Sequence, residues 1–383
     1  MPDTASSQAS SATQVDQNSL RRRGVGLIAS DTSSVVPGYV LVAPLTSNKF
    51  YLIDVHGEVA HTWTLEHWNG RHARLLPNGN LAVNSIDPEG PRPFFFFHKY
   101  GGGIMSEVNQ LGQIIRQHRD PYGHHDAYHY GDGRILYTRM ESLSEEDSRC
   151  VQGGVPGSEA DDGRVWADVV REVDGEGKTV WEWKVNDHLD KQRFPLQAHY
   201  PREHWPLINS VYPLRDGNVL MSMRSISAVL IVSRATGDVL WHLDSSTIAQ
   251  QHNATELPNG NILLFDNGAF RCRESFQYSR VIEVCRETKK IVWHWRDAAP
   301  ERFYSPFMGS AQRLEQSGHT LVCESAFGRV FEINGDGMVC WEWISPFFNR
   351  YAEKALLDVF SAESNAMFRA YKYTPDQIPW LCT

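Results

Sequence analysis

A short turn followed by a strand ending in tryptophan recurs along this chain, and no other feature restricts its fold as strongly. The copies end at Trp63, at Trp181 and Trp183, at Trp241, at Trp293 and Trp295, and at Trp341 and Trp343. Each strand is preceded by a turn, among them Asp54 to Gly57, Asp174 to Gly177 and Asn334 to Gly337. A degenerate copy, Leu111 to His118, fills the long gap between the first and third and brings the count to six. Large indole rings repeated at one place in a unit are expected to pack between units.

A second element alternates with the first. Asn78-Gly79, Asp132-Gly133, Asp216-Gly217, Asn259-Gly260 and Ser317-Gly318 each sit between apolar runs. Such dipeptides are the strongest short-range hairpin signal, and they predict tight type I′ turns with positive φ at both central residues. With the apolar stretch Gly38–Pro44, six hairpin openings alternate with six tryptophan endings. Four strands per unit, repeating at roughly 50 residues, predict the blades of an all-β, six-bladed propeller. A two-sheet sandwich does not account for a sixfold alternation of two motif types.

The expected organisation is a disordered N-terminal tail at 1–35, the propeller at 36–349, and a C-terminal extension at 350–383 packed on it. Helical periodicity through Ala355, Leu356, Val359 and Phe360 makes that extension helical. The net charge of −9, without a stripe of Lys and Arg, argues against nucleic-acid binding. No apolar run reaches the 18 or so residues of a membrane span. Residues 1–20 hold no signal-peptide core, so a cytoplasmic location is expected. Six scattered cysteines without a CxxC pair are expected to be reduced thiols.

The hairpin glycines serve as a ruler. In a propeller the first strand of each blade lines the axis. Eight residues before Gly79, Gly133, Gly217, Gly260 and Gly318 stand Arg71, His125, Asn209, His252 and Ser310, all polar. His72, His124, Asp126, Gln251 and Asn253 flank them. Seven residues beyond Gly217 and Gly260 lie Arg224 and Asn267, the latter preceded by Asp266. Two imidazoles, two guanidiniums and an amide converging on one axis predict a site for an anion or an oxyanion-bearing substrate. Histidines from several blades could also ligate a metal, but no metal-ligand spacing is present, so neither metal nor cofactor is expected. A hydrogen-bonded polar plug is the purely structural alternative. Two further regions are candidate lids: the Phe-rich stretch 87–106, and the inserts 139–170 and 184–206.

The stretches Gly38–Pro44, Asp187–Asp190, Gln251-His252, Gly260–Gly268 and Phe368–Tyr373 resemble the arylsulfotransferase (ASST-type) propeller family across nearly the whole chain from about residue 36. The resemblance implies sulfate transfer between phenolic esters and phenols, without the nucleotide donor PAPS, through a transiently sulfated axial histidine. It implies His252 as nucleophile and His125 as a second axial histidine. Asn209 and Arg224 become oxyanion binders, and Ser310 stands where the family has Thr. Two positions depart from the family pattern: Leu207 replaces a common His, and Asn253 a common Asp. Loss of the histidine removes a donor to the transferred group. The expected partner is therefore a small aromatic, anionic substrate. His252, His125 and Arg224 are expected to be catalytic; Asn209, Arg71, His72, Ser310, His124 and Asn267 are expected to bind substrate. Two alternatives stay open: a lyase, isomerase or cyclase using the same pocket for acid–base chemistry, and a non-catalytic ligand-binding propeller.

Overall fold

Six antiparallel blades of four principal strands, with a small parallel pair formed by Gly153–Val155 and Leu196–Pro201 beside them, form the protein in the computed structural model, which describes residues 24–272 and 274–381. Most of the expected tail, residues 1–23, lies outside the described residues. The innermost strands of blades 2 to 6 are Asn69–Leu75, Gly123–His129, Ile208–Pro213, His252–Glu256 and Ser310–Leu314. These strands pack side by side around the axis.

Blade 1 closes the ring. Its innermost strand is Met367–Tyr373, paired antiparallel to Tyr39–Pro44 with Tyr39 opposite Tyr373. The expected C-terminal extension is thus part of the propeller, and its helix is confined to Lys354–Val359. Burial on both faces explains why: Met367, Phe368, Arg369, Ala370 and Lys372 are all buried, as in a central strand, and a helix could not supply the open edge of Tyr39–Pro44 with hydrogen bonds. At the other end, residues 26–30 of the expected tail form the strand Gly26–Ser30, a fifth, outer strand on blade 6 paired with Val339–Ile344.

The hairpins lie where the glycines mark them, but the turn type differs from expectation. The Gly79 N–H donates to Leu76 O at 2.9 Å, and Gly79 has φ 81° while Asn78 is not in the left-handed region. The same holds for Gly217 and Gly260, whose N–H groups donate to Leu214 O and Leu257 O, whereas the Gly133 turn also has Gly131 at φ 89° and the Gly318 N–H reaches Leu314 O, four residues back. At Gly79, Gly217 and Gly260 this is a type I turn followed by a left-handed glycine, in which the glycine alone needs positive φ.

The tryptophans join the blades. The indole N–H groups of Trp63, Trp183, Trp241, Trp295 and Trp341 donate to Asn109 O, Gly237 O, Arg286 O, Gly337 O and Val55 O, at 2.7–3.0 Å. Each acceptor lies on the outer turn of the next blade. The degenerate copy puts His118 at the junction of blades 2 and 3, 3.3 Å from the Tyr137 hydroxyl. Burial of each ring adds to a hydrogen bond worth roughly 1 kcal/mol net. Between blades the core is aliphatic, as where Leu220, Val229 and Ile231 meet Ile262, Leu264 and Ile282. Among the described residues five cysteines are free, and no helix is long and apolar enough to cross a membrane.

Candidate active site

The axial ends of four innermost strands are irregular. The pairing register shifts between Asn69 and Ala73, between Ile208 and Ser210, and between His252 and Thr255, and in blade 3 opposite His125. His125 and Asn253 accordingly take φ 39° and 52°. Bulges of this kind re-aim side chains that a regular strand would hold along its face. Here they turn the axial residues toward a cavity of about 420 Å³.

Arg71, His125, Arg224 and His252 line that cavity together. The other expected residues stand behind it. Asn267 Oδ1 accepts from His252 Nδ1 at 2.8 Å, while its amide donates to Ser305 O and Met308 O at 2.8 and 2.6 Å. The amide orientation is therefore fixed, His252 Nδ1 carries the proton, and Nε2 presents its lone pair. The Met308 N–H donates a long hydrogen bond to that Nε2 at 3.3 Å. His124 sits behind His125, the two Nδ1 atoms 2.9 Å apart, so His125 turns Nε2 to the cavity. Asn209 donates to Gln251 O at 2.8 Å. Ser310 Oγ accepts from Ala370 N–H at 3.3 Å, tying blade 6 to blade 1. His72 lies 3.4 Å from Asp126 on the far side of the ring. Asn253, the second departure from the family pattern, accepts from Ala311 N–H at 3.1 Å and points into the blade interface. Leu207 does face the cavity, with φ 63°, and its carbonyl accepts the Arg224 N–H at 2.9 Å.

The ruler has a sixth mark. Arg369 on the closing strand stands four residues before the last pair of its hairpin, as the other axial residues do. It grips Asp126 with both terminal nitrogens, at 3.0 and 2.9 Å, and reaches Asn209 O at 3.0 Å. This fully buried pair plugs the channel beneath the cavity.

The walls come from outside the repeat. The stretch 87–106 contains the helix Phe95–Tyr100, which brings Phe96, Lys99 and Tyr100 into the cavity. The insert 184–206 brings His199, Tyr200, Glu203 and His204, whereas the insert 139–170 adds nothing to the wall. Phe270, Phe307 and Phe360 complete an aromatic rim; Phe96 and Phe270 are 42% and 56% exposed and free to meet a ligand entering from solvent.

Three cations therefore face an apolar, aromatic chamber. Burial brings Arg71 down to about 10, still charged at neutral pH. Arg71 Nε and Arg224 Nε are buried without partners and free to donate. Burial, then Arg71 and Arg224, lowers the Lys99 ammonium to about 8. Burial, reinforced by Arg224 and then Arg369, keeps His252 well below the ordinary imidazole range, and burial and Arg71 do the same to His125. Both are neutral at pH 7. Burial raises Glu203 to about 7 against the opposing pull of His204.

A chamber lined by three cations and two neutral histidines thus lies at the axis of a six-bladed propeller. The sequence matches the arylsulfotransferase (ASST) family over residues 73–346. The chain belongs to that family, whose activity is of the transferase type. No curated protein matches it. Among solved structures, a Bacteroides caccae protein of unknown function is 14% identical with a TM-score of 0.49, covering 86% of this chain and 97% of that one. A streptogramin B lyase is 11% identical with a TM-score of 0.44, covering 84% and 83%. A catalytically inactive virginiamycin B lyase from Staphylococcus aureus with quinupristin is 9% identical with a TM-score of 0.40, covering 72% and 69%.

Proposed function

We propose that the protein transfers a sulfuryl group from an aryl sulfate to a phenol, without a nucleotide donor, through His252. The observation that carries this reading is the fixed tautomer of His252. Asn267 holds Nδ1–H, so Nε2 carries the lone pair, which accepts a long hydrogen bond from Met308 N–H, inside a chamber with three cations. In the first half-reaction Nε2 attacks sulfur, the S–O bond to the aryl group breaks, and the phenolate leaves. In the second, the acceptor phenol oxygen attacks sulfur, the S–N bond breaks, and the phenol proton passes to a base. His125 Nε2 is the group placed to exchange that proton. Arg71, Lys99 and Arg224 hold the sulfuryl oxygens, with charge-assisted hydrogen bonds that strengthen as charge gathers on them. Leu207 removes one imidazole donor from this set, and Lys99 supplies a cation from the Phe-rich helix. The aromatic rim receives the aryl groups.

A second reading, acid–base catalysis on the same kind of aromatic substrate, is favoured by Glu203, a half-buried carboxyl on the cavity wall raised to about 7. Incubation with 4-nitrophenyl sulfate separates the two. Sulfuryl transfer releases nitrophenol, sulfates an added phenol, and leaves a transient sulfuryl mass on a peptide containing His252. Absence of both release and adduct rules transfer out.

A further inference from the structure

Behind the cavity wall, Asp168 presents a problem of charge. Among the described acids no more than 2% exposed, Asp87, Asp126, Glu172, Asp266 and Glu332 each have an Arg or Lys within 4 Å. Asp168 has only imidazoles. His124 Nε2 and His204 Nε2 stand 2.8 and 2.9 Å from the same oxygen, Oδ1, while Oδ2 accepts the Ile208 N–H at 2.8 Å. All three side chains are buried, and their ligand atoms lie within 4.8 Å of one another. A buried carboxylate needs a cation beside it, or it neutralises.

The contact angles sharpen the point. His204 makes an aligned hydrogen bond to Oδ1. The His124 contact is shorter yet too bent to be one, so His124 Nε2 is a buried nitrogen without a hydrogen-bonding partner. With an ion bound, the proton of the His204 Nε2–H···Oδ1 bond is released and both Nε2 atoms turn their lone pairs to the metal. Ligand atoms roughly 2.1 Å from one ion, meeting at about a right angle, lie about 3 Å apart. The outward nitrogens are also held: His204 Nδ1 meets the Tyr100 hydroxyl at 3.0 Å and His124 Nδ1 meets His125. Metal-ligating histidines usually have such outer partners.

We infer that His124, Asp168 and His204 form a binding site for a divalent transition-metal ion. Two imidazoles and one carboxylate suit zinc or ferrous iron; calcium and magnesium demand more oxygen ligands. This departs from the sequence-based expectation of no metal, which considered the axial histidines and not the pair behind them. The one other such cluster among the described residues, His319, Glu332 and Cys340, lacks the same need, because Lys372 already neutralises Glu332.

The test uses the full chain, stripped with chelator and reloaded separately with Zn²⁺, with Fe²⁺ under anaerobic conditions, or with Mg²⁺ or Ca²⁺. Elemental analysis after gel filtration should find about one equivalent of zinc or iron, with a raised Tm and no response to the alkaline earths. His204→Gln should lose that equivalent and the Tm rise, while Cys340→Ser keeps both. Folded wild-type protein that retains no transition metal and shows no Tm shift overturns the inference, leaving the three residues a hydrogen-bonded cluster. Retention of the ion by His204→Gln overturns it equally, because the metal would then sit elsewhere.

Discussion

The two axial histidines are held by opposite devices. His252 on blade 5 is locked by a side-chain amide whose own donors end on two backbone carbonyls, so its tautomer has nowhere to go. His125 on blade 3 leans on another imidazole, which in turn faces Asp168 and, across it, His204. The first arrangement suits a residue that must always offer the same lone pair. The second suits one that gives and takes a proton, because a shift along the chain of imidazoles reverses which atom at the cavity carries hydrogen. A single axis thus carries a fixed position and an exchangeable one.

Replacing His252 has the largest expected effect. His252→Ala should lower turnover of 4-nitrophenyl sulfate by about a thousandfold or more and abolish the sulfuryl adduct in intact-mass spectra. His125→Gln should behave differently. Nitrophenolate is a good leaving group that needs no acid, so one equivalent should still be released in a burst, followed by turnover slowed about a hundredfold while the adduct accumulates. Equal loss of the burst in both variants would break the comparison. Asn267→Ala should fall between wild type and His252→Ala, about ten- to a hundredfold down, because the lone pair is then no longer assured at Nε2. Its signature is a loss in kcat with little change in KM.

The glycine ruler found five of the six axial positions because the spacing from inner strand to turn glycine is the same in blades 2 to 6: eight residues separate Ser310 from Gly318 just as they separate Arg71 from Gly79. Arg369 escaped it because the two strands of its hairpin come from opposite ends of the chain, so no turn glycine follows it. Register also says where a residue begins, not which way it ends. Asn209 and Ser310 sit at the same level as His252, yet Asn209 gives its amide donor, and Ser310 its hydroxyl acceptor, to neighbouring blades. Lys99, Glu203 and His204 lie in inserts without a repeat to measure from. Asp168 did leave a trace, an acid among the apolar residues that open the strand Trp166–Val173, but only the fold brings His124 and His204 to it.

The pH profile sharpens the contrast without touching either axial residue. A free imidazole near 6.5 would lose its lone pair as pH falls through that value. His252, held well below by burial and Arg224, keeps it, so kcat should stay level through pH 6. On the alkaline side Lys99, lowered to about 8, loses its charge as pH rises through that value, and KM for an aryl sulfate should climb. Lys99→Met should raise KM about tenfold at pH 7 and flatten that climb.

The smallest effect expected belongs to Glu203. Raised to about 7 by burial, it is neutral below that pH and a carboxylate above it, where it repels an anionic substrate on the same wall. Repulsion across a partly hydrated cavity is worth roughly 1 kcal/mol, a few-fold in KM. Glu203→Gln should therefore lower KM a few-fold at pH 8, leave it unchanged at pH 6, and spare kcat, because sulfuryl transfer asks nothing of this carboxyl. A fall in kcat at both pH values would instead make Glu203 the acid or base of the second reading. His125 would then be one of two proton carriers facing His252.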